Sequence, residues 1–248
     1  MSDTTRRKVK TEKNAFCPSP FAFRLSPFIS SMTPNRYSDA ERAAVYRAIY
    51  ERRDMRHFLP DPIDPELLLR LLDAAHHAPS VGFMQPWRFM RISCPTLRKA
   101  IHALVEQERL LTAKALNERE DEFMKLKVEA ILECPEVLVA ALCEQREHYI
   151  FGRRTLPEMD LASLACAIQN MWLAARAEGI GLGWVSMFDP DALKTLLKMP
   201  EDSQPLAVLC LGHVDKFYDK PMLEQAQWAE RKNLTDLLFE NVWNTPCR

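Results

Sequence analysis

A dense group of charged side chains stands between a predicted helix and a proline-rich turn. It comprises Arg52, Arg53, Asp54 and Arg56. A guanidinium group offers a planar fork of donors that matches a phosphate, and a phosphate monoester carries nearly two negative charges. The group therefore predicts a site for a phosphate-bearing ligand. The alternative is that the arginines satisfy the last carbonyl groups of the helix and its dipole.

Two stretches rich in special residues are further candidates for sites. Residues 78–87 combine two prolines and a glycine with apolar residues, and such loops often carry function. Gly179, Gly181 and Gly183 supply half of the six glycines of the chain. Because glycine weakens a strand, three glycines at alternate positions predict that something flat lies against the backbone. Simple tight packing is the alternative.

Caps and hydrophobic spacing predict the helices that position these segments. Residues 38–41 read Ser-Asp-Ala-Glu, a capping box that starts a helix ending at the arginines. Asp64 and Pro65 open a second helix, which Pro79 ends. The most apolar helix spans about 159–178, and it should be buried, either centrally or against a second subunit.

Short apolar runs predict the strands, and the remaining periodic segments predict further helices. Strands are expected at 87–92, 136–143, 184–187 and 206–214. Residues 96–132 predict two helices or one bent helix, and 190–197 a short one. Strands separated by helices indicate a layered α+β or α/β domain.

Composition excludes several classes of function. The 248 residues carry a net charge of −1, which gives no basic field for nucleic acid. No apolar run approaches the roughly 20 residues of a membrane span. Seven single cysteines, with no C-x-x-C pair, predict free thiols in a reducing cytoplasm. The histidines lack the spacing of metal ligands, so no metal site is predicted.

The first residues differ in composition from the rest of the chain. Residues 1–37 mix basic residues with serine, threonine and proline, which predicts a disordered tail before one domain at 38–248. Met32 precedes the first helix closely and is a possible natural start. We therefore expect the tail to be dispensable for folding.

Taken together, the motifs resemble the nitroreductase family of FMN-binding flavoproteins over about residues 38–240. The resemblance rests on the arginine group, the loop 78–87, Gln169-Asn170 in the buried helix and the run 183–186, Gly-Trp-Val-Ser. It implies an α+β sandwich with a central, mostly antiparallel sheet flanked by helices. It also implies an intertwined homodimer that binds one FMN in each of two interface clefts.

Asp54 narrows the resemblance, because ordinary family members usually have serine there. The chain is similar to members that use reduced FMN as a substrate and dioxygen as co-substrate. The implied products are 5,6-dimethylbenzimidazole, the lower ligand of vitamin B12, and D-erythrose 4-phosphate, with a separate flavin reductase supplying reduced FMN. Two alternatives stay open: an NAD(P)H-dependent nitroreductase or flavin reductase, and a flavin-binding protein without enzymatic activity. Asp54 argues against the first, and the lack of a visible partner domain argues mildly against the second.

The resemblance also assigns individual residues. Asp54 and Ser186 match the catalytic positions, and Arg53 in particular is expected to bind the FMN phosphate. The full set of predicted cofactor-binding residues is Arg52, Arg53, Asp54, Met55, Arg56, Ser80, Gly82, Gly183, Ser186 and Arg231.

The chemistry of the two catalytic candidates agrees with this assignment. Neighbouring arginines would lower the pKa of Asp54 and leave it ionised as a base, whereas burial would raise that pKa, and both outcomes stay open. Ser186 has no histidine near it in sequence to activate it. A hydrogen-bonding role is therefore predicted for Ser186, with a strand serine bonded to its neighbours as the alternative.

Overall fold

A computed structural model describes residues 35–246 of the chain. Within this range the chain divides into two compact units, residues 37–231 and a smaller unit whose described residues are 35–36 and 232–246. The tail up to residue 34, with Met32, lies outside the described residues. The larger unit contains helices α1 (Asp39–Glu51), α2 (Pro65–His76), α3 (Pro95–Ala115), α4 (Glu120–Met124), α5 (Met159–Ala177), α6 (Pro190–Leu196) and α7 (Met222–Gln225), and strands β1 (Trp87–Arg91), β2 (Glu136–Leu142), β3 (Gly181–Val185) and β4 (Gln204–Gly212).

The four strands form one sheet in the order β1-β2-β4-β3, and every neighbouring pair is antiparallel. A single parallel bridge joins Asp54 to Leu182 at the β3 edge. Helices α2 and α5 cover one face of the sheet, while α3 and α6 cover the other. Strand β2 is buried at every position because both of its faces are covered. The predicted α+β sandwich with a mostly antiparallel central sheet is confirmed.

The first two helices begin where their caps predict. The Ser38 hydroxyl accepts from the Glu41 backbone N–H, and the Glu41 carboxylate accepts from the Ser38 backbone N–H, so the capping box is complete. The Asp64 carboxylate accepts from the backbone N–H of Glu66, with Pro65 at the first helical position of α2. These caps fix the start of α1 and therefore the place where it releases the arginines.

Helix α5 lies at the centre of the larger unit. It packs against α1, α2 and the sheet, and buries among others Leu164, Ile168 and Met171. The prediction of a buried helix is confirmed, and of the two positions that the sequence left open the structure has the central one. The remaining side carries exposed Ala162 and Cys166 at the spacing of one helical turn, and we call this side the outer stripe of α5.

Strand β3 begins three residues earlier than predicted, and it includes two of the glycines. A Cβ added to Gly183 would lie 2.3 Å from the Met55 carbonyl oxygen, and one added to Gly181 would lie 2.5 Å from Cγ1 of Val214. Tight packing against the chain itself, rather than a flat ligand, therefore accounts for these glycines. Gly179 differs, because it ends α5 with a φ of 75°.

The smaller unit has little regular structure in its described part. A 3-10 turn spans Leu234–Leu237, and an isolated bridge joins Phe239 to Pro246. Across residues 35–246, no helix combines the length and the apolar character that crossing a membrane requires.

Candidate active site

The predicted arginine group lies where α1 meets the edge of the sheet. Helix α1 ends at Glu51, and the backbone N–H of Met55 then donates to the Leu182 carbonyl oxygen at 3.0 Å. Asp54 forms the parallel bridge to the same residue of β3. Positions 54 and 55 therefore behave as a short additional strand, which fixes their backbone against the sheet.

Asp54 lines two cavities. The first has a volume of about 840 Å³ and is lined by Arg52, Arg53, Gln169, Arg231 and the segment 219–224. We call it the cationic cavity. Its size falls in the range of about 300–1,000 Å³ that is usual for small-molecule sites.

The second cavity is smaller and lined mainly by apolar side chains. Its volume is about 320 Å³, and it is reached by Asp54 and Ser186. We call it the apolar cavity. Asp54, Met222 and Leu223 line both cavities, so the two spaces adjoin. The apolar side chains lining it include Leu116, Phe123, Leu126, Met187 and Trp228.

Arg52 is the arginine that is available to an anion. Its guanidinium lies 4.3 Å from the ring centre of Trp172, and it makes no hydrogen bond within the described part of the chain. Burial lowers the pKa of Arg52, Asp54 opposes this effect, and Arg53 and Arg231 add to it. A negatively charged ligand would offset both the burial and the repulsion.

Arg53 lines the same cavity but has other partners. Its guanidinium donates to the carbonyl oxygens of Tyr50 at 2.7 Å, Arg52 at 2.8 Å and Asp219 at 2.8 Å. Two of these bonds satisfy the end of α1, which is the alternative that the sequence left open. The third ties α1 to the segment 219–224. The structure does not test the predicted contact of Arg53 with a phosphate, but these bonds make Arg52 the better candidate for it.

Asp54 and Arg56 form a close ion pair. Nη1 and Nη2 of Arg56 donate to Oδ1 and Oδ2 of Asp54 at 2.5 and 2.7 Å, and the Trp184 backbone N–H donates to Oδ1 at 2.9 Å. Arg56 is buried, and the guanidinium is occupied by this pair and by carbonyl oxygens. Its predicted contact with FMN stays a prediction.

Burial and charge act in opposite directions on Asp54, as the sequence implied. Burial is the larger effect and raises the pKa of Asp54, while Arg56, the Trp184 N–H and Arg52 act to lower it. However, 43% of the side-chain surface is exposed. Solvent access to this exposed part therefore moderates the effect of burial, and a ligand that covered it would strengthen the effect.

Ser186 lies just beyond the end of β3 and is exposed. It lines the apolar cavity together with Asp54, so the structure brings the two predicted catalytic residues to one space. Its hydroxyl makes no hydrogen bond to the described part of the chain. It is thus open to a ligand, and the alternative of a serine bonded to its neighbours is not what the structure has.

The predicted contacts from the loop 78–87 lie elsewhere. The Val81 backbone N–H donates to the Ser163 hydroxyl at the start of α5, and the Gln85 backbone N–H donates to the Ser80 hydroxyl. Neither Ser80 nor Gly82 lines the two cavities. Within one chain the structure therefore does not bring them to Arg52 and Asp54.

The loop itself is tightly constrained. Gly82 has a φ of 53°, and a Cβ added to it would lie 2.8 Å from the Phe151 carbonyl oxygen. Phe83 and Gln85 also adopt positive φ values of 54° and 51°, which is unfavourable for residues with a side chain. Strained backbone of this kind often occurs at functional sites.

Two further predicted contacts are with residues of the sheet edge. The Met55 side chain is buried with 1% exposure, and Gly183 is buried beside it. Only their backbone atoms could face a ligand. Arg231, by contrast, is exposed and lines the cationic cavity.

Several lining residues were not found from the sequence. Lys220 adds a further cation to the cationic cavity, and the ring of Trp172 packs against the Arg52 guanidinium. Trp228 lines the apolar cavity and holds Arg119 at 3.5 Å from its ring centre. Each depends on a contact between distant parts of the chain. No local pattern of residue types marks such contacts.

One group of potential metal ligands occurs in the described residues, although none was predicted. His102, Glu106 and Glu129 place one ligand atom each within 4.8 Å of one another. Glu106 is paired with Arg109, and Glu129 accepts from the Ile131 backbone N–H. These contacts satisfy the carboxylates without an ion, and the group lines neither cavity.

The lining of the two cavities fits the FMN predicted from the sequence. A phosphate matches the guanidinium of Arg52, which makes no hydrogen bond in the described residues, and the cations Lys220 and Arg231 that line the same cavity. An aromatic ring system matches the aromatic and aliphatic side chains of the apolar cavity. Asp54 and Ser186 are the polar groups that could bond to ring atoms.

Comparison with known proteins agrees with this chemistry. A model of the nitroreductase family matches residues 49–213. Two proteins named 5,6-dimethylbenzimidazole synthase are similar to the chain. That of Rhodospirillum rubrum is 40% identical over 73% of this chain and 87% of the relative, and that of Rhodobacter capsulatus is 37% identical over 78% and 95%. A crystal structure of iodotyrosine deiodinase bound to FMN and 3-iodo-L-tyrosine has a similar fold, with a TM-score of 0.61 at 21% identity over 81% of this chain and 99% of the other.

Proposed function

Because the chain belongs to the nitroreductase family, we propose that it is a 5,6-dimethylbenzimidazole synthase. The reaction would consume reduced FMN and dioxygen and release 5,6-dimethylbenzimidazole and D-erythrose 4-phosphate, and the pyrimidine part of the ring system would leave as a further product. The observation that carries this proposal is a carboxylate, Asp54, at the junction of a cationic and an apolar cavity. The names of the two similar proteins from Rhodospirillum rubrum and Rhodobacter capsulatus support it.

In this proposal the cationic cavity holds the phosphate end of FMN. Arg52 is the principal ligand, since its guanidinium is partly buried, makes no hydrogen bond in the described residues and could donate to two phosphate oxygens. Lys220 and Arg231, which line the same cavity, would add to the positive field. Arg53 contributes by holding the end of α1 and residue 219 together through carbonyl bonds.

The apolar cavity holds the reacting part of the ring system and limits access of water. When bound, reduced flavin supplies the electrons that dioxygen accepts. Asp54 moves protons, because its raised pKa makes it a better proton acceptor than an ordinary aspartate. Ser186 donates or accepts a hydrogen bond at the same face. Phe123 and Trp228 reduce the water content of the cavity.

The proposed active form is a homodimer. Helix α1 buries none of its residues and exposes Tyr46 and Tyr50, and the outer stripe of α5 is also uncovered. Apolar faces of this kind are typical of obligate interfaces. A second copy could bring its loop 78–87, with Ser80 and Gly82, to the cavities of the first. A monomer that binds FMN at micromolar concentration, detected by light scattering, would contradict this part of the proposal.

Reduced FMN must come from another protein in this scheme, since the reaction consumes the flavin. A separate flavin reductase is the class of enzyme that would supply it. We assign both reactions to the cytoplasm, where the five described cysteines, all free of disulfides, would stay reduced.

The decisive experiment follows the flavin after one exposure to air. Purified protein receives photoreduced FMN without a nicotinamide cofactor, and mass spectrometry then quantifies FMN and 5,6-dimethylbenzimidazole. We expect irreversible loss of flavin absorbance and release of the benzimidazole. Intact oxidised FMN with no benzimidazole would overturn the proposal. In that case, consumption of NADPH with a nitroaromatic acceptor would identify a reductase, and no consumption would favour a flavin-binding protein without activity.

A further inference from the structure

The ion pair of Asp54 and Arg56, which both line the apolar cavity, has a bidentate geometry. Arg56 is only 6% exposed, and its two terminal nitrogens face the two carboxylate oxygens of Asp54 at 2.5 and 2.7 Å. Such a bidentate arrangement fixes the plane of the carboxylate as well as its position. A single-point cation such as lysine could not fix both.

The rest of the guanidinium is held by the edge of the sheet. Nη2 also donates to the Trp184 carbonyl oxygen at 2.8 Å, and Nη1 to that of Met55 at 3.1 Å. All four N–H groups of the terminal nitrogens are therefore engaged. The remaining Nε is buried without a partner in the described residues. No terminal N–H is left for a phosphate.

Glycine at position 183 makes this arrangement possible. A Cβ added there would lie 2.6 Å from Nη1 of Arg56 and 2.3 Å from the Met55 carbonyl oxygen. Contacts below 3.0 Å force a displacement, and here the neighbours are a backbone carbonyl and a guanidinium whose two terminal nitrogens are both bonded. The close approach of the arginine to β3 therefore depends on the missing side chain.

The charged groups around Asp54 differ in how they act on it. Arg56 is the largest influence that opposes burial, followed by the Trp184 N–H and then by Arg52. Arg53, Lys220 and Arg231 share the cationic cavity with the acidic Asp219 and Glu224. Arg56 also acts to lower the pKa of the Cys210 thiol, but a hydrogen bond with Cys134 and burial raise that pKa more, so the thiol stays neutral.

We propose that Arg56 is a positioning residue for Asp54, which orients the carboxylate toward the cavities and keeps it ionised, and that Arg56 does not bind the FMN phosphate. The proposal rests on the proposed function only for the role of Asp54 in turnover. It separates the arginines by task, with Arg52 for the ligand and Arg56 for the carboxylate. Its central claim concerns the protein alone, so it can be tested without flavin.

The first test measures the ionisation of Asp54 directly. Aspartate carboxyl carbons are labelled with 13C, and the Asp54 signal is assigned by its loss in Asp54→Asn. In Arg56→Met the pKa of Asp54 should rise by about one to three pH units, because the neighbouring cation is gone. Arg56→Lys should give a smaller rise, since the charge stays and the fork is lost. An unchanged pKa in both variants would overturn the proposal.

Controls separate this effect from general destabilisation. Arg98 donates to the carbonyl oxygens of Ile92, Cys134 and Pro135 and faces neither cavity. Arg98→Lys should therefore leave the pKa of Asp54 unchanged. If Arg56→Met does not fold, Gly183→Ala serves instead. It keeps both charged side chains but crowds Nη1, and it should also raise the pKa of Asp54.

The second test distinguishes positioning from phosphate binding. Arg56→Lys should slow benzimidazole formation by tenfold or more, since acid–base catalysis as a whole contributes about 10²–10⁴-fold. The ratio of FMN affinity to riboflavin affinity should stay unchanged. A selective loss of FMN affinity would instead make Arg56 a phosphate ligand and overturn the proposal. If the unmodified protein forms no benzimidazole, the proposed function fails, yet the NMR titration still decides the role of Arg56.

Discussion

The cationic cavity and the apolar cavity adjoin, yet their side chains suit different tasks. The first, of about 840 Å³, presents Arg52, Lys220 and Arg231, and the second, of about 320 Å³, presents mainly aromatic and aliphatic groups. Asp54 is the charged residue that lines both. This difference indicates that residues of the cationic cavity determine the affinity for FMN, whereas residues of the apolar cavity serve proton transfer. Substitutions in the two cavities should therefore have separable effects.

The largest effect is expected at the junction. Asp54→Asn keeps the size of the side chain but removes its ability to accept a proton. Benzimidazole formation should fall by about a hundredfold or more, the usual scale for general acid–base catalysis. Single-turnover product yield and FMN titration together measure this. Asp219→Asn, in the cationic cavity alone, is the matched control. Full product yield from Asp54→Asn would remove Asp54 from the mechanism.

The pH dependence should identify the same group. Turnover needs ionised Asp54, so activity should be lost as pH falls through a midpoint above about 3.9, the ordinary aspartate value, because burial raises this pKa. A carboxyl whose pKa is higher in the folded state stabilises the fold when protonated, and this contribution is lost as pH rises through the folded pKa. Melting curves of the unmodified protein and Asp54→Asn over a pH series test whether the contribution of Asp54 to stability falls as pH rises. A midpoint below the ordinary value would contradict it.

Residues of the cationic cavity should determine the affinity for FMN. Arg52→Ala should weaken FMN by roughly ten- to a hundredfold, since a charge-assisted bond contributes about 1.5–3 kcal/mol. Riboflavin, which lacks the phosphate, should be affected much less. Arg53→Ala is the informative comparison, because its guanidinium bonds three carbonyl oxygens. We expect it to lower the melting temperature and to affect both flavins equally. The reverse pattern would exchange the two assignments.

Ser186 in the apolar cavity should contribute less to product formation than Asp54. Ser186→Ala removes one hydrogen bond of about 0.5–1.5 kcal/mol, so product formation should fall by roughly two- to tenfold. FMN affinity should change little, as the phosphate site is untouched. A loss as large as that of Asp54→Asn, measured in the same single-turnover assay, would instead place Ser186 in direct proton transfer.

The smallest effect is expected at the rim of the apolar cavity. The Arg119 guanidinium lies over the Trp228 ring, and a cation–π contact of this kind contributes about 0.5–1 kcal/mol at exposed sites. Arg119→Ala should loosen Trp228 and admit water, and the benzimidazole yield per FMN should fall up to about fivefold. Hydrogen peroxide, measured in parallel, should rise. Equal yields in both proteins would show that Trp228 does not exclude water.

Local signals predicted the frame of the site well. The capping box at Ser38 fixed the start of α1, and the buried pattern of α5 indicated its central place. These features depend on residues within a turn or two of each other. The arginines were recognised as a group for the same reason. Their separate tasks were not, because these depend on Trp172 and the segment 219–224, far away in sequence.

Glycine shows the limit of such reasoning most clearly. The spacing of Gly181 and Gly183 correctly indicated a close approach to β3, but the approaching group is the chain itself. Likewise, the sequence predicts two opposing effects on the pKa of Asp54, and only the fold shows that burial is the larger effect. Such outcomes depend on which distant segments meet.

The parallel bridge at Asp54 has a consequence for solubility. Strand β3 is the last strand of the sheet, and an uncovered edge can pair with another chain. Here Met55 N–H occupies the Leu182 carbonyl, while Asp54 and Arg56 occupy the N–H and the carbonyl of Trp184. The residues proposed for chemistry thus also shield the sheet from self-association. Variants at these positions should be checked for aggregates before any loss of activity is attributed to the reaction.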